Sequence, residues 1–168
     1  MARSTYSFTQ GFTLLEVLIA VVVLSFGLLG LAGLQAAGVK NTHSASLRTL
    51  AVQQAYDMGD RMHANSEGIL AGAYDAIGTS TPADPACITS GCTAAELATY
   101  DQFAWNTNNG TMLPSGRGTV TAIAATTAPN KAYVITVMWD DYRTGALGTG
   151  CSSDPNIDLT CFQITFRP

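Results

Sequence analysis

The hydrophobic pattern of this chain of 168 residues changes character along its length. Residues 11–39, GFTLLEVLIAVVVLSFGLLGLAGLQAAGV, are almost wholly apolar and carry a single charge, Glu16. About 20 such residues suffice to cross a bilayer as a helix. Gly27, Gly30 and Gly33 lower helix propensity there, but in a membrane small residues let helices approach closely. The pattern then turns amphipathic. Val39, Leu47, Leu50, Ala51, Met58 and Met62 recur at helical spacings and form a stripe that can bury against a domain. One continuous helix over residues 12–65 is predicted, about 80 Å long. Gln53, Asp57, Asp60 and Arg61 fall off the stripe, and Asp57 with Arg61 makes an i,i+4 pair worth a few tenths of a kcal/mol.

Beyond the helix the periodicity is lost. Residues 66–91 carry turn signals: Gly68, Gly72, Gly78, Pro82, Pro85 and Gly91. Thr93-Ala94-Ala95-Glu96 is a capping-box pattern. It opens a short helix over residues 94–107, ended by Asn108-Asn109-Gly110, with Leu97, Tyr100, Phe103 and Trp105 as its apolar contacts. Asp101 on that helix reads as a surface or tethering group. A short β-leaning run covers residues 119–125. Residues 131–139 are the strongest strand signal, with Tyr133, Ile135, Val137 and Trp139 on one face and Val134, Thr136 and Met138 on the other. The last run alternates, with Phe162, Ile164 and Phe166 inward and Gln163, Thr165 and Arg167 outward. The loop between those strands spans residues 140–160. A helical spine, a loop with a small helix and then an antiparallel sheet make an α+β chain.

Composition narrows the choices. Apolar residues are 47% of the chain, but much of that share lies in the first 40 residues, so the remainder has a thin core. The formal net charge is −4. No basic stripe is present to contact phosphates, so nucleic acid is not an expected partner. Four cysteines, Cys87, Cys92, Cys151 and Cys161, allow three pairings. Local closure favours Cys87–Cys92 and Cys151–Cys161, each stapling a turn-rich loop, as suits an exported domain with a thin core. Their spacing fits no zinc motif, and His43 and His63 lie far upstream in the helix.

No catalytic constellation is visible. There is no Ser/His/Asp arrangement on a nucleophile elbow, no phosphate-cradling glycine loop and no His-x-x-x-His. Asp140-Asp141 and Asp154-Pro155-Asn156-Ile157-Asp158 carry oxygens of the kind calcium takes, but aspartate beside proline and asparagine is ordinary turn chemistry. No catalytic residue, metal or cofactor is expected.

The anomaly is Glu16, a carboxylate inside an apolar run. At the centre of a membrane helix such a group costs about 2–3 kcal/mol even on lenient scales, so it calls for a partner. A cut after Gly11 would give Phe12 a free α-amine, mostly cationic at neutral pH, one helical turn from Glu16. Within one chain the two could pair. Between chains, the carboxylate of one subunit could neutralise the amine of the next and set their axial stagger. A secretory signal peptide cut after Gly38 is the rival, using Ala36 and Gly38. Its leader has Arg3 as the only basic side chain, and Glu16 interrupts its apolar region. A plain membrane anchor leaves Glu16 unexplained. Charge does not decide topology, because Lys40, His43 and Arg48 follow the span and Arg3 precedes it.

A polar leader ending in glycine, then Gly11, Phe12, Thr13, Leu14, Leu15 and Glu16 before an apolar helix, resembles the type IV pilin signal. The resemblance implies cleavage between Gly11 and Phe12 by prepilin peptidase, N-methylation of Phe12, and subunit docking through Phe12 and Glu16. It also implies a pilin fold, a long N-terminal spine packed on a small antiparallel sheet with disulfide-closed loops. Residues 1–11 would be the leader, 12–39 the membrane and filament-core half of the spine, and 40–168 its amphipathic half plus the head. Gly27-Leu28-Leu29-Gly30, Leu34-Gln35, Asp60-Arg61-Met62-His63-Ala64-Asn65, Leu97-Ala98-Thr99-Tyr100-Asp101 with Trp105, Leu113-Pro114-Ser115-Gly116-Arg117-Gly118, and Val137-Met138-Trp139-Asp140 resemble the PilV-type minor pilins, also called type IV pilus modification proteins. That finer resemblance implies an inner-membrane protein with a periplasmic head that helps initiate a pilus and resides near its tip. The implied partners are PilW-, PilX- and FimU-like minor pilins, the major pilin and a tip-associated adhesin. A minor pseudopilin of type II secretion is the alternative.

Overall fold

The computed structural model describes residues 11–123 and 131–168. The leader apart from Gly11, and the end of the strand expected over 119–125, lie outside the described residues. The chain divides into two units, one through His43 and one from Ser44 onward.

The first helix, α1, runs Leu14–Ala64 without interruption, through Gly27, Gly30 and Gly33. Its N-terminal part belongs to the first unit, in which every described residue is exposed. The second unit is built around the rest of α1. Leu47, Ala51, Ala55, Met58 and Met62 are buried, and Leu50 is partly so. Val39 was expected on this stripe but is 71% exposed, because it lies before the packed part of the helix. Each fully buried methionine contributes about 1.5–3 kcal/mol.

The loop expected over 66–91 contains more structure than its turn residues suggest. A short helix α2 (Ser66–Leu70) is capped by Asn65, whose Oδ1 accepts the Gly68 N–H at 3.1 Å. A two-residue strand β1 (Ala76–Ile77) and a one-turn helix α3 (Cys87–Ser90) follow. The next helix, α4 (Ala94–Met112), starts on the expected capping box of Thr93 and Glu96. It continues past Asn108-Asn109-Gly110, where a stop was expected. Asn109 is fully buried and Leu113 is 2% exposed, so packing carries the helix through its weak residues.

The sheet is antiparallel throughout, in the order β1-β2-β3-β4, with β2 Arg117–Ala122, β3 Tyr133–Trp139 and β4 Thr160–Phe166. Both faces of β3 are apolar, and of its residues only Val134 is not buried. Tyr133, Ile135, Val137 and Trp139 join the core shared with α1, while Phe162, Ile164 and Phe166 pack against it half-buried. Cys87 is bonded to Cys92 and Cys151 to Cys161, with Cα separations of 5.0 and 5.5 Å. The first bridge closes the α3 turn and the second closes the loop before β4.

Trp105 on α4 locks these layers. Its ring is fully buried, and its Nε1–H donates to the Gln54 carbonyl of α1 at 2.8 Å. The other side of the ring meets β2 at Gly118, where an added Cβ would overlap ring carbons. Gly118→Ala should therefore destabilise the protein by about 1–3 kcal/mol through overpacking. Gly78→Ala, whose Cβ would meet nothing within 4 Å, should change stability by no more than about 0.5 kcal/mol. Urea unfolding of the oxidised chain in detergent measures both.

Candidate functional site

The amino-terminal turn of α1 carries the residues singled out by sequence. Thr13 precedes the first helical residue, and its Oγ1 and carbonyl accept the Glu16 N–H at 3.2 and 3.1 Å. Thr13-Leu14-Leu15-Glu16 has the same Thr-x-x-Glu spacing as the capping box at Thr93. The spacing marks a helix start at Thr13 as it does at Thr93, a signal that the surrounding apolar run conceals. An acidic side chain in the first turn also suits the positive end of the helix dipole. Glu16 therefore has a local reason for its place.

No described residue of the unit covers this turn. Phe12 is 84% exposed, and Glu16 is exposed beside it. Phe12, Glu16, Val17, Ala20, Val21 and Leu24 line an open groove of about 430 Å³ along the helix. Leu14, Leu18, Leu28, Leu29, Leu31 and Leu34 are each more than half exposed. A helix this apolar, with a mean hydropathy of 2.7 over its best window and none of that window buried, needs lipid or other helices around it. The structure brings Phe12 and Glu16 onto one face and leaves the carboxylate without a cationic neighbour among the described residues of the first unit.

The head carries its own polar cluster. Asp101, expected as a surface or tethering group, is buried and tethers. Its Oδ2 accepts from the Tyr74 hydroxyl at 2.5 Å, and its Oδ1 lies 3.4 Å from Arg61 Nη1. Arg61 also holds Asp57 at 2.8 Å, so the expected surface pair is one arm of a bridge to α4. Asn65 Nδ2 donates to the Tyr74 hydroxyl and to the Ala94 carbonyl. Burial raises the Asp101 carboxyl above its ordinary range despite the Tyr74 hydrogen bond and the Arg61 charge. These groups satisfy one another, and the cluster fastens the end of α1 to α2 and α4. Tyr74 and Asn65 were not marked by sequence; tyrosine and asparagine in a turn-rich loop give no pattern that predicts burial.

Of the aspartates weighed as calcium donors, Asp141 accepts from the Ser44 hydroxyl and the Trp139 Nε1–H, and the others serve turns. Asp140 accepts from the Thr144 and Gly145 N–H groups, and Asp158 from those of Gly150 and Ser152. Asp154 accepts from Asn156 N–H. The hydrogen bonds to Ser152 and Gly150 lower the Asp158 carboxyl below its usual range.

A long apolar helix that continues into a small α+β head, with a four-stranded antiparallel sheet and two disulfide-closed loops, is the pilin fold. Two family models match consecutive stretches of the chain. The prokaryotic N-terminal methylation motif matches residues 7–32, and the type IV pilin Tt1218 family matches residues 33–103. No curated protein and no solved structure matches the chain. The chain belongs to the type IV pilin family. As a pilin it is anchored in the inner membrane by its apolar helix, is a substrate of prepilin peptidase, and associates with other pilins in a pilus.

Two tyrosines report on the head's interior. Burial, with the nearby Asp75 carboxylate, pushes the Tyr133 hydroxyl up to about 12. Burial, with the hydrogen bond to Asp101, raises Tyr74 as well. Folded-state values above the unfolded value of about 10 mean that this stability is fully present below pH 10 and is lost as pH rises through the folded values. Phenolate absorbance should show a late ionisation by Tyr133 with a midpoint near 12. Tyr133→Phe should remove part of the late absorbance. A single ionisation of all tyrosines near pH 10 would show that the two rings are not enclosed as described.

Proposed function

We propose that this chain is a minor pilin of the PilV type that helps initiate assembly of a type IV pilus. It acts as a structural subunit, not an enzyme. The observation that carries the reading is Glu16, exposed in the first turn of an uncovered apolar helix, one turn from Phe12. Cleavage after Gly11 and methylation of Phe12 leave a cationic amine at that end of the helix. Glu16 of one subunit then meets the Phe12 amine of a neighbour. Each charge is costly in lipid alone, so their pairing favours one axial stagger of the helices over others. The partners on this reading are PilW-, PilX- and FimU-like subunits and the major pilin, with a tip-associated adhesin above them. Tip-most subunits of related assemblies often lack this glutamate, so its presence supports a place just beneath the apex. The motifs shared with the PilV type, from Leu34-Gln35 to Val137-Met138-Trp139-Asp140, support the pilus reading over a secretion pseudopilus.

Mass spectrometry of the mature protein should find N-methylphenylalanine at Phe12. A mature start near Val39 would instead make the apolar run a discarded signal peptide. Glu16→Val should leave the chain in the membrane fraction and reduce its recovery in sheared filaments by about tenfold or more, the scale of one unpaired charge left in a low-dielectric interface. Undiminished recovery would remove the docking role. The chain should be scarce in filaments relative to their main subunit; equal abundance would make it a major pilin.

A further inference from the structure

The sheet has two edges, and the chain treats them differently. Facing residues in an antiparallel pair alternate between hydrogen-bonded and non-bonded pairs. Ile123 N–H donates to the Ala132 carbonyl at 2.8 Å, which fixes the phase between β2 and β3. By alternation, Gly118, Val120 and Ala122 turn their backbone groups to the outer side of β2. Every one of them is engaged there. Val120 pairs with Ile77, and Ala122 N–H donates to the Asp75 carbonyl. Gly118 N–H and C=O are both taken by the Asn106 side chain, at 2.7 and 3.4 Å, as a neighbouring strand would take them.

The same phase, carried across β3, turns Cys161, Gln163 and Thr165 outward on β4. An independent observation agrees. Leu159, the next outward residue upstream, donates its N–H to the Gly148 carbonyl, and Gly148 N–H donates to the Ile157 carbonyl. The loop thus occupies the fifth-strand position at residues 157–159, and the Cys151–Cys161 bridge pins its departure. Below that point the outer backbone groups of Cys161, Gln163 and Thr165 meet no backbone or side-chain partner among the described residues. Phe162, Ile164 and Phe166, on the core side of this edge, are only half-buried. No proline, bulge or lysine within the strand blocks pairing, the devices by which exposed edges are normally closed.

We infer that the outer edge of β4 accepts a strand from the head of a different pilin-type subunit, antiparallel to β4. Two occupants are excluded by geometry. Antiparallel pairing of β4 with β4 of a second copy requires a two-fold axis normal to the sheet. That axis reverses the packed half of α1, which lies on the sheet face, whereas chains inserted in one membrane by the same helix run in the same direction. The first edge of a second copy offers a β1 of two residues over a β2 whose outward groups are taken. A like-oriented head of the same even-stranded design presents its first strand running against β4, so a longer first strand there fits. Its chemistry follows from what it meets: about five or more residues, alternating, with apolar side chains over the flanks of Phe162, Ile164 and Phe166, and an acidic residue beside Arg167. The inference rests on association with other pilins and not on the minor-pilin role.

The test uses the full chain in cells that assemble filaments, with a photoreactive benzophenone side chain at Gln163 or Thr165, and at Ala76 on the closed edge as a control. Adducts from Gln163 and Thr165 with another pilin-type subunit, and none from Ala76, are expected. Gln163→Pro deletes an N–H that points away from β3. It should preserve both disulfides and the thermal midpoint while lowering the Thr165 adduct by about tenfold. Ile164→Pro, which deletes a bond to β3, should unfold the head. Adducts only with copies of this chain, only with a protein outside the pilin class, or none at all would overturn the inference. So would adducts that persist undiminished in folded Gln163→Pro. If Gln163→Pro misfolds, the identity of the adducts in the otherwise native chain decides alone. Absence of the native chain from filaments, by contrast, would count against the proposed function and leave the adduct result to be read by itself.

Discussion

One helix must satisfy two environments, and the rest of the molecule follows from that. The part of α1 through Val39 is apolar on all sides and exposed among the described residues. Its surface is therefore reserved for lipid and then for neighbouring spines. The part from Leu47 to Met62 is amphipathic and fully committed to the head. The head must consequently fold on what is left, fewer large aliphatic residues and a single sheet.

The head compensates by making a few groups serve several layers. Trp105 fills the space between α1 and β2 and hydrogen-bonds α1 through Gln54. Asn106, the next residue, closes the edge of β2 with both ends of its amide. Asn65 caps α2 and bonds Tyr74 and α4 with the same side chain. Buried polar groups add little net stability but cost heavily when unmatched, so they penalise every arrangement of α2 and α4 except the one that satisfies them. The two disulfides act where such packing is thinnest, in the α3 turn and in the loop before β4, by restricting the unfolded chain.

What could be read from sequence tracks the physics each residue obeys. The spine, β3 and β4 were legible because periodic burial leaves a periodic pattern, as in Phe162, Ile164 and Phe166. The capping box at Thr93 was legible because its chemistry is local. The extension of α4 through Asn108-Asn109-Gly110 was not, since helix propensity there is poor and burial of Leu113 and Asn109 overrides it. The Asp101 cluster was only half legible. Arg61 and Asp57 are neighbours on one helix, but Tyr74 and Asn65 meet Asp101 through tertiary structure alone. The Thr13 cap is hard to read for another reason: it lies inside an apolar run, where a single carboxylate stands out as a misplaced charge and not as the third residue of a helix turn.

Glu16 is conspicuous in the sequence and yet suits the turn that holds it. The Thr13 cap secures the backbone of the first turn, and the positive end of the helix dipole favours an acidic side chain there. Neither consumes it as a hydrogen-bond acceptor for a cation, because the bonds run from the Glu16 backbone N–H to Thr13. The side chain is thus held at a defined height on the spine with its charge still available. A spine contact alone fixes that height but leaves rotation about the helix axis weakly specified, since the surrounding residues are uniformly apolar. Directional backbone pairing at one sheet edge supplies what an apolar cylinder cannot. The closed edge at Gly118 and the open edge at Gln163 make the head polar in the sense of having a front and a back, and a subunit that joins an ordered stack needs both kinds of information.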